Sequence, residues 1–123
     1  MQQVLLVGAG GFVGSALRYI VSTGVQRYLG ESWLPYGTLA VNIVGCFVIG
    51  LLAGLADSRQ LLSPETRLVL MVGLLGGFTT YSTFAYDSLA LLKGGGIAAA
   101  AAYIVLHVIV GLAAVWLGYR ITA

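Results

Sequence analysis

Hydroxyl, amide and aromatic side chains are concentrated in one short stretch of an otherwise apolar chain. Residues 76–84 read Gly-Gly-Phe-Thr-Thr-Tyr-Ser-Thr-Phe, where a long apolar segment becomes small and hydroxyl-rich without gaining charge. Glycine costs a helix about 1 kcal/mol relative to alanine, and threonine or serine can satisfy the backbone groups that an interrupted helix releases. The stretch predicts a helix broken near its middle, which in a membrane is typical of an ion site. The alternative is a kinked helix whose small residues let a neighbour approach.

Three side chains in the predicted helices have the chemistry to contact an anion. The amide of Asn42 can donate and accept hydrogen bonds. Tyr81 and Phe84 share one helical face, Thr80 and Thr83 share another, and the positive edge of an aromatic ring attracts an anion. Each side chain also has a packing explanation, because an asparagine can join two helices and paired aromatics fill the space between them. The residues alone leave both explanations open.

Arg18 is the only basic residue well inside a predicted span, and His107 is the single histidine of the chain. A charge within a membrane segment usually faces an aqueous vestibule or a partner, and the alternative is that Arg18 reaches back to the interface. His107 can act as a donor or titrate, and the alternative is a hydrogen-bonded packing residue. Arg18 makes its end of the protein positive in either case.

The sequence contains no constellation typical of an enzyme. It has no set of Ser, His and Asp residues at matching depth, no cluster of metal-ligating side chains and no phosphate loop. Residues 8–11, Gly-Ala-Gly-Gly, follow no predicted strand and therefore indicate no dinucleotide site. Every carboxylate lies near a predicted helix end, whereas a proton-coupled exporter is expected to keep an acid within a span.

The composition is that of an integral membrane protein. Hydrophobic residues make up 59% of the 123-residue chain and charged residues only 8%, and the mean hydropathy is +0.99. These values lie outside the range of a soluble domain. The net charge of +2 is small and the basic residues do not cluster, so nucleic acid is not an expected partner. The N-terminus lacks the basic region of a cleavable signal, which favours a retained first helix.

Four apolar segments are long enough to cross a bilayer, and they predict one all-α membrane domain over residues 1–123. The predicted spans are residues 4–28, 35–56, 67–92 and 97–119. Ser63-Pro64-Glu65 is a plausible helix start, with proline at the first helical position. The connections are short, so neighbouring helices are expected to be antiparallel.

The charges at the two ends of these spans are balanced. With four spans, three basic residues fall on each face: Arg59, Arg67 and Arg120 on one, and Arg18, Arg27 and Lys93 on the other. The acids also divide evenly, with Asp57 and Glu65 on the first face and Glu31 and Asp87 on the second. Orientation normally follows an excess of Lys and Arg on the cytoplasmic side, so this chain is expected to insert both ways and to permit an antiparallel homodimer. The alternative is a single orientation, decided by a charge such as the N-terminal amine.

Small and polar residues recur every four positions within the predicted helices, which places them on one face. The first span has Gly10, Gly14 and Arg18 in this spacing. The second has Thr38, Asn42, Cys46, Gly50 and Gly54, and the fourth has Ala99, Tyr103, His107 and Gly111. Such stripes predict close helix packing.

The chain resembles the small four-helix bacterial fluoride channels of the Fluc, or CrcB, family. The resemblance covers nearly all of the chain and is most specific at residues 76–84, with support from residues 10–18 and 37–45. It implies a dual-topology antiparallel homodimer with two pores. It also implies a structural sodium ion at the break of the third helix, held by the backbone carbonyls of Gly76 and Thr79 from both subunits.

The resemblance further implies a passive channel in the plasma (inner) membrane of a bacterium or archaeon, surrounded by lipid, that exports fluoride and lowers its cytoplasmic concentration. It assigns the fluoride pore to Asn42, Tyr81, Ser82, Thr83, Phe84, Tyr103 and His107. It assigns the vestibule to Arg18, Thr38 and Asp87. The ion would exchange its hydration shell step by step for several weak donors.

Two positions depart from the common pattern of the family. Tyr81 stands where relatives usually have phenylalanine, and its hydroxyl could donate to the ion or tie the ring down. His107 stands where many relatives have serine, and its tautomer decides whether it donates or accepts. Two other functions remain open: a small dual-topology multidrug or cation antiporter, which would need a buried acid, and a non-conducting membrane subunit.

Overall fold

All regular structure in the described part of the chain, residues 1–30 and 32–123 of a computed structural model, is helical. Four helices, α1 to α4, are each long and apolar enough to cross a membrane: Gln2–Leu29, Tyr36–Asp57, Pro64–Lys93 and Ile97–Thr122. At 1.5 Å per residue, even a helix of about 22 residues exceeds the roughly 30 Å of a bilayer core. The prediction of an all-α membrane protein with four spans is therefore confirmed. Glu31, counted above among the acids of one face, lies outside the described residues.

Helix α3 changes its hydrogen-bonding pattern along its length. It begins as an α-helical turn, continues as a π-helix over Leu68–Leu75, and returns to one α-helical turn at Gly76–Phe78. Thr79 and Thr80 then have extended backbone, with ψ of 161° and 118°, before α-helix resumes at Tyr81–Lys93. The axis nevertheless bends by only 17°. The hydrogen-bonding ladder is thus interrupted for two residues while α3 keeps its direction.

The start of α3 is fixed by local hydrogen bonds, as its sequence predicted. The Ser63 hydroxyl accepts the Thr66 backbone N–H at 3.2 Å, and Pro64 occupies the first helical turn. Arg67 then donates to the carbonyl of Ala56 at the end of α2, over 2.8 Å. Since a capping hydroxyl contributes about 1 kcal/mol, this short connection has its own stabilisation.

Helices α1 and α3 approach each other closely along facing glycines. A Cβ at Gly10 or Gly14 would meet backbone atoms of Val69 or Leu74, and one at Gly77 would lie 2.6 Å from the carbonyl oxygen of Gly11. Gly10 and Gly14 belong to the four-residue stripe seen in the sequence. The stripe therefore serves as a packing seam, as small residues do in membrane helices.

A second glycine seam joins α2 to α4. A Cβ at Gly50 would collide with the carbonyl oxygen of Val115, and one at Gly118 with that of Phe47. The Thr122 hydroxyl adds a hydrogen bond of 2.8 Å to the Leu51 carbonyl across the same contact. These two seams hold the four helices as two closely packed pairs.

Replacing Gly14 with alanine is expected to destabilise the protein. Alanine favours a helix by about 1 kcal/mol over glycine, but the added methyl would overlap the backbone of Leu74, and overpacking costs about 1–3 kcal/mol. Gly8→Ala is the matched control on the same helix, because a Cβ there meets nothing within 4 Å. Thermal unfolding in detergent should show a lower midpoint for Gly14→Ala and an equal or higher one for Gly8→Ala. Equal midpoints for the two variants would contradict the seam.

The outer surface of the helices is apolar. Phe12, Trp116 and Tyr81, on three different helices, are 79%, 64% and 81% exposed in the single chain. A surface of this kind is stable against lipid or against another protein rather than in water. The buried side chains are few, and one of them, Tyr103, is fully enclosed next to the site described below.

Candidate ion pathway

A cavity of about 400 Å³ lies against the interrupted part of α3. Residues of α2, α3 and α4 line it. They include four predicted pore residues, Asn42, Tyr81, Phe84 and His107, together with Gly76, Thr79 and Thr80 of the interruption and apolar residues such as Met71. Among the described residues, no carboxylate, lysine or arginine lines this cavity. It is therefore a mostly apolar space with a few neutral polar groups.

The side chain of Asn42 is joined to the interruption of α3 by two hydrogen bonds. Its Oδ1 accepts the backbone N–H of Thr80 at 2.7 Å, and its Nδ2 donates to the carbonyl of the same residue at 3.0 Å. The Asn42 oxygen here replaces the helical acceptor that the Thr80 N–H lacks in its extended conformation. Asn42 thus stabilises the non-helical backbone and lies at its edge.

Thr80 is a site residue that the sequence analysis did not assign. Besides its backbone contacts to Asn42, its hydroxyl accepts the N–H of Thr83 at 3.2 Å and so caps the second half of α3. The sequence does contain a signal for this capping role, because threonine is a favoured N-cap residue and Thr80 directly precedes the helical segment Tyr81–Lys93. A continuous helix would place Thr80 and Thr83 on one face, and that expectation hides the capping role of Thr80.

His107 connects α4 to Asn42. Its Nε2 lies 3.1 Å from Nδ2 of Asn42, and its Nδ1 lies 3.1 Å from the backbone carbonyl oxygen of Tyr103. Three helices therefore meet through one chain of hydrogen bonds that runs from Tyr103 through His107 and Asn42 to Thr80. The predicted pore residues Asn42 and His107 are brought into direct contact.

Four rings pack together on the same side of α3. The Phe84 ring is central, with centroid distances of 5.7 Å to Tyr81, 5.6 Å to Tyr103 and 4.2 Å to His107. The planes are tilted against one another, and Tyr103 meets His107 edge-on at 75°. In tilted and edge-on contacts of this kind the positive edge of one ring meets the negative face of its neighbour, which stabilises the cluster.

Asp87 lines a second cavity of about 420 Å³, which lies between the α1–α2 connection and the facing ends of α3 and α4. The Tyr103 hydroxyl donates to Oδ2 of Asp87 at 2.9 Å, while its backbone carbonyl contacts His107 of the first cavity. The buried Tyr103 therefore connects Asp87, which lines the second cavity, to His107, which lines the first.

Several predicted site residues lie outside the first cavity. Ser82 and Thr83 are exposed at the surface of the single chain, and Thr38 is half-buried one helical turn before Asn42. Arg18 of α1 is half-buried and points to the interruption from another side, where its Nη1 lies 3.4 Å from the Thr79 carbonyl oxygen. The structure thus gathers the amide, the rings and His107, while the exposed Thr83 hydroxyl accepts a hydrogen bond of 3.1 Å from the Thr80 hydroxyl at the edge of the cavity.

The carbonyls predicted to hold sodium lack their helical partners. In a continuous helix the N–H of Thr80 would bind the Gly76 carbonyl, and that of Thr83 would bind the Thr79 carbonyl. Asn42 takes the first N–H and the Thr80 hydroxyl takes the second. Gly76 is exposed, and a Cβ there would meet nothing within 4 Å.

A multi-pass membrane protein with a neutral polar site between its helices is the class that these features define. The chain belongs to the CrcB family, since the family model described as "CrcB-like protein, Camphor Resistance (CrcB)" matches residues 5–119. The resemblance drawn from residues 76–84 is thereby confirmed. The family is one of ion channels, and the protein is not an enzyme.

Curated relatives match over nearly their full length. A protein of Methylobacillus flagellatus named "Fluoride-specific ion channel FluC" is 49% identical over 121 residues, which cover 98% of this chain and 94% of the relative. Proteins of Rhizobium etli and Chlorobium phaeobacteroides with the same name are 47% and 42% identical, over 98% and 96% of this chain and 96% and 91% of their own lengths.

Proposed function

We propose that this protein is a passive, fluoride-selective channel that exports fluoride through the plasma membrane of a bacterium or archaeon. The observation that carries the proposal is the grouping of Asn42, Tyr81, Phe84 and His107 around an apolar cavity that no described carboxylate lines. Neutral donors and ring edges favour an anion without trapping it, as conduction requires. The names of the relatives support fluoride as that anion.

The same lining argues against a proton-coupled antiporter. Such a transporter needs an ionisable acid within the membrane, facing the substrate path. The acid nearest to the site, Asp87, lines the second cavity and accepts the hydrogen bond of Tyr103. A non-conducting subunit would not need a polar amide and four rings beside a cavity, because apolar packing would serve it equally well.

In this proposal fluoride passes between the two cavities along the ring cluster. Arg18 and Thr38 belong to the vestibules, where a positive charge raises the local concentration of the anion. The exposed hydroxyls of Ser82 and Thr83 act as further donors along the track. The ion loses water in small steps, because each donor is weak and the donors are several.

We propose that the functional unit is an antiparallel homodimer. Tyr81 is 81% exposed in the single chain although it belongs to the ring cluster, and Gly76 is exposed beside it. A second copy would cover both residues and complete the pore walls. The even division of basic residues between the two faces supports insertion in both orientations.

We further propose that the carbonyls of Gly76 and Thr79 hold a structural sodium ion in that dimer. Both oxygens have lost their helical partners to side chains, and free backbone carbonyls suit a hard monovalent cation. Such an ion would add positive charge near the pores. The contact of Arg18 with the Thr79 carbonyl oxygen is long, at 3.4 Å, and so leaves that oxygen weakly engaged.

Sodium is therefore expected to stabilise the purified dimer in a way that potassium does not. A ligand at about 100 times its dissociation constant adds about 2.7 kcal/mol to the stability of the state that binds it. The thermal midpoint and the dimer fraction are measured in sodium and in potassium at equal ionic strength. Identical values in the two salts would contradict the sodium site.

The proposed function is tested in cells that lack their own route of fluoride export. Expression of this chain is expected to restore growth in fluoride medium and to lower the internal fluoride concentration, read with a fluoride electrode after lysis. Empty vector is the control, and membrane insertion is verified by blotting. Unchanged sensitivity with the protein present in the membrane would count against fluoride export.

A further inference from the structure

The orientation of the Asn42 amide is fixed by the backbone of α3. The Thr80 N–H can only donate, so the atom facing it at 2.7 Å must be the amide oxygen. The Nδ2 group then faces the carbonyl oxygen of Thr80 at 3.0 Å and Nε2 of His107 at 3.1 Å. Both hydrogens of Nδ2 are therefore committed within the protein.

The two contacts of His107 require one and the same tautomer. Because Nδ2 of Asn42 donates, Nε2 of His107 has to be the acceptor and carries no proton. Because the Tyr103 carbonyl can only accept, Nδ1 of His107 has to carry the proton. Each contact leads independently to a neutral imidazole with its hydrogen on Nδ1.

This arrangement leaves Asn42 without a free N–H for an anion in the cavity. Thr80 holds the amide at two points through the backbone, whereas His107 holds it at one point through a side chain. The His107 contact is thus the one that can open without disturbing the interruption of α3. A proton on Nε2 would open it, because two N–H donors would then face each other.

We propose that His107 is a positioning residue that keeps the Asn42 amide in a closed hydrogen bond, and that protonation of its imidazole frees one Asn42 N–H for fluoride. The inference rests on the proposed function, since it names the control of the same site. The channel is accordingly slow at neutral pH and faster in acid. The imidazolium also adds a positive charge to a cavity whose described lining carries no other charged side chain.

The other titratable groups near His107 do not explain such a response. Tyr81 and Tyr103 carry phenols and Cys46 carries a thiol, and phenols and thiols as classes ionise on the alkaline side of neutrality. Asp87 accepts the hydrogen bond of Tyr103 and lines the second cavity, and it makes no hydrogen bond to His107 in the described part of the chain. Arg18, on α1, donates to the Thr79 carbonyl oxygen, which belongs to a different part of the site.

The tautomer is measured directly by nitrogen NMR of the full-length protein labelled in histidine. His107 is the single histidine of the chain, so one pair of ring nitrogen signals reports it without assignment. At neutral pH the hydrogen is expected on Nδ1, with Nε2 unprotonated, although free histidine prefers the opposite tautomer. A hydrogen on Nε2 would overturn the inference whether or not the protein conducts fluoride.

Flux measurements on two variants test the control itself. His107→Gln keeps an acceptor for Asn42 but cannot be protonated, and His107→Ala removes the acceptor; both lose the ring that packs on Phe84. Fluoride efflux is measured from liposomes at about pH 5 and about pH 8. Protein-free liposomes at each pH give the leak of undissociated hydrogen fluoride, which is subtracted.

The wild type is expected to conduct about fivefold faster at the lower pH, the factor that one neutral hydrogen bond represents. His107→Gln is expected to be slow at both pH values and His107→Ala fast at both. Equal pH dependence in all three proteins would overturn the role of His107 while leaving the channel intact. Absence of flux from all three would overturn the proposed function, and the inference with it.

Discussion

Replacing Asn42 with alanine is expected to reduce fluoride flux by at least tenfold. The variant loses both hydrogen bonds to Thr80 and leaves the Thr80 backbone N–H unpaired beside the cavity. Such an unpaired group costs about 1–3 kcal/mol, and 1.4 kcal/mol already corresponds to a factor of ten. The interruption of α3 should therefore rearrange, which closes the anion path. Efflux from liposomes, read with a fluoride electrode, measures the effect.

Cys46→Ala is the matched control for this substitution. Cys46 lies one helical turn beyond Asn42 and lines the same cavity, but its thiol makes no hydrogen bond among the described residues. Its flux should stay within about twofold of the wild type, as for substitutions that break no specific contact. Both variants have to elute from gel filtration as one symmetric peak at the volume of the wild type. Wild-type flux in Asn42→Ala would contradict the role given to this amide.

Replacing Phe84 with leucine is the second substitution with a large expected effect. Leucine keeps an apolar side chain at the position but removes the ring that contacts Tyr81, Tyr103 and His107. Each aromatic contact contributes about 0.5–1.5 kcal/mol beyond its buried area, so the cluster loses its central support as well as one positive edge. Flux is expected to fall by about tenfold or more, measured in the same liposome assay.

Tyr81→Phe separates the ring from the hydroxyl in this cluster. It keeps the aromatic edge at a residue that is 81% exposed in the single chain, and its flux should remain within about twofold of the wild type. That result would mean that the hydroxyl of Tyr81, which a phenylalanine lacks, does not slow the passage of fluoride. Phe84→Leu with undiminished flux would show instead that the rings serve packing alone.

The helical architecture could be predicted because hydropathy and short connections leave few choices for this chain. The stripe of Gly10 and Gly14 also predicted a packing face, and that face contacts α3. The π-helix over Leu68–Leu75 could not be predicted, since its sequence is an ordinary apolar run. The small bend of α3 could not be predicted either, because residue types indicate that a helix is interrupted but not by how much its axis bends.

Site residues could be predicted where the type of side chain alone indicates a role. They could not be predicted where the role depends on the conformation of the backbone. Asn42 and Phe84 stood out as polar and aromatic residues in apolar segments, and both line the cavity. Thr80 was missed because its role depends on the extended backbone that Asn42 holds. The bond between Asn42 and His107 joins residues 65 positions apart, so no local spacing could indicate it.

The central claim is passive conduction of fluoride, and flux under a clamped membrane potential tests it most directly. Liposomes containing the purified protein are loaded with fluoride and chloride salts of potassium and sodium, with equal pH on both sides. Valinomycin lets potassium move with the anion. The account predicts rapid fluoride loss with chloride retained, and no loss until valinomycin is added. Fluoride efflux that needs an imposed proton gradient, or equal loss of both anions, would contradict it.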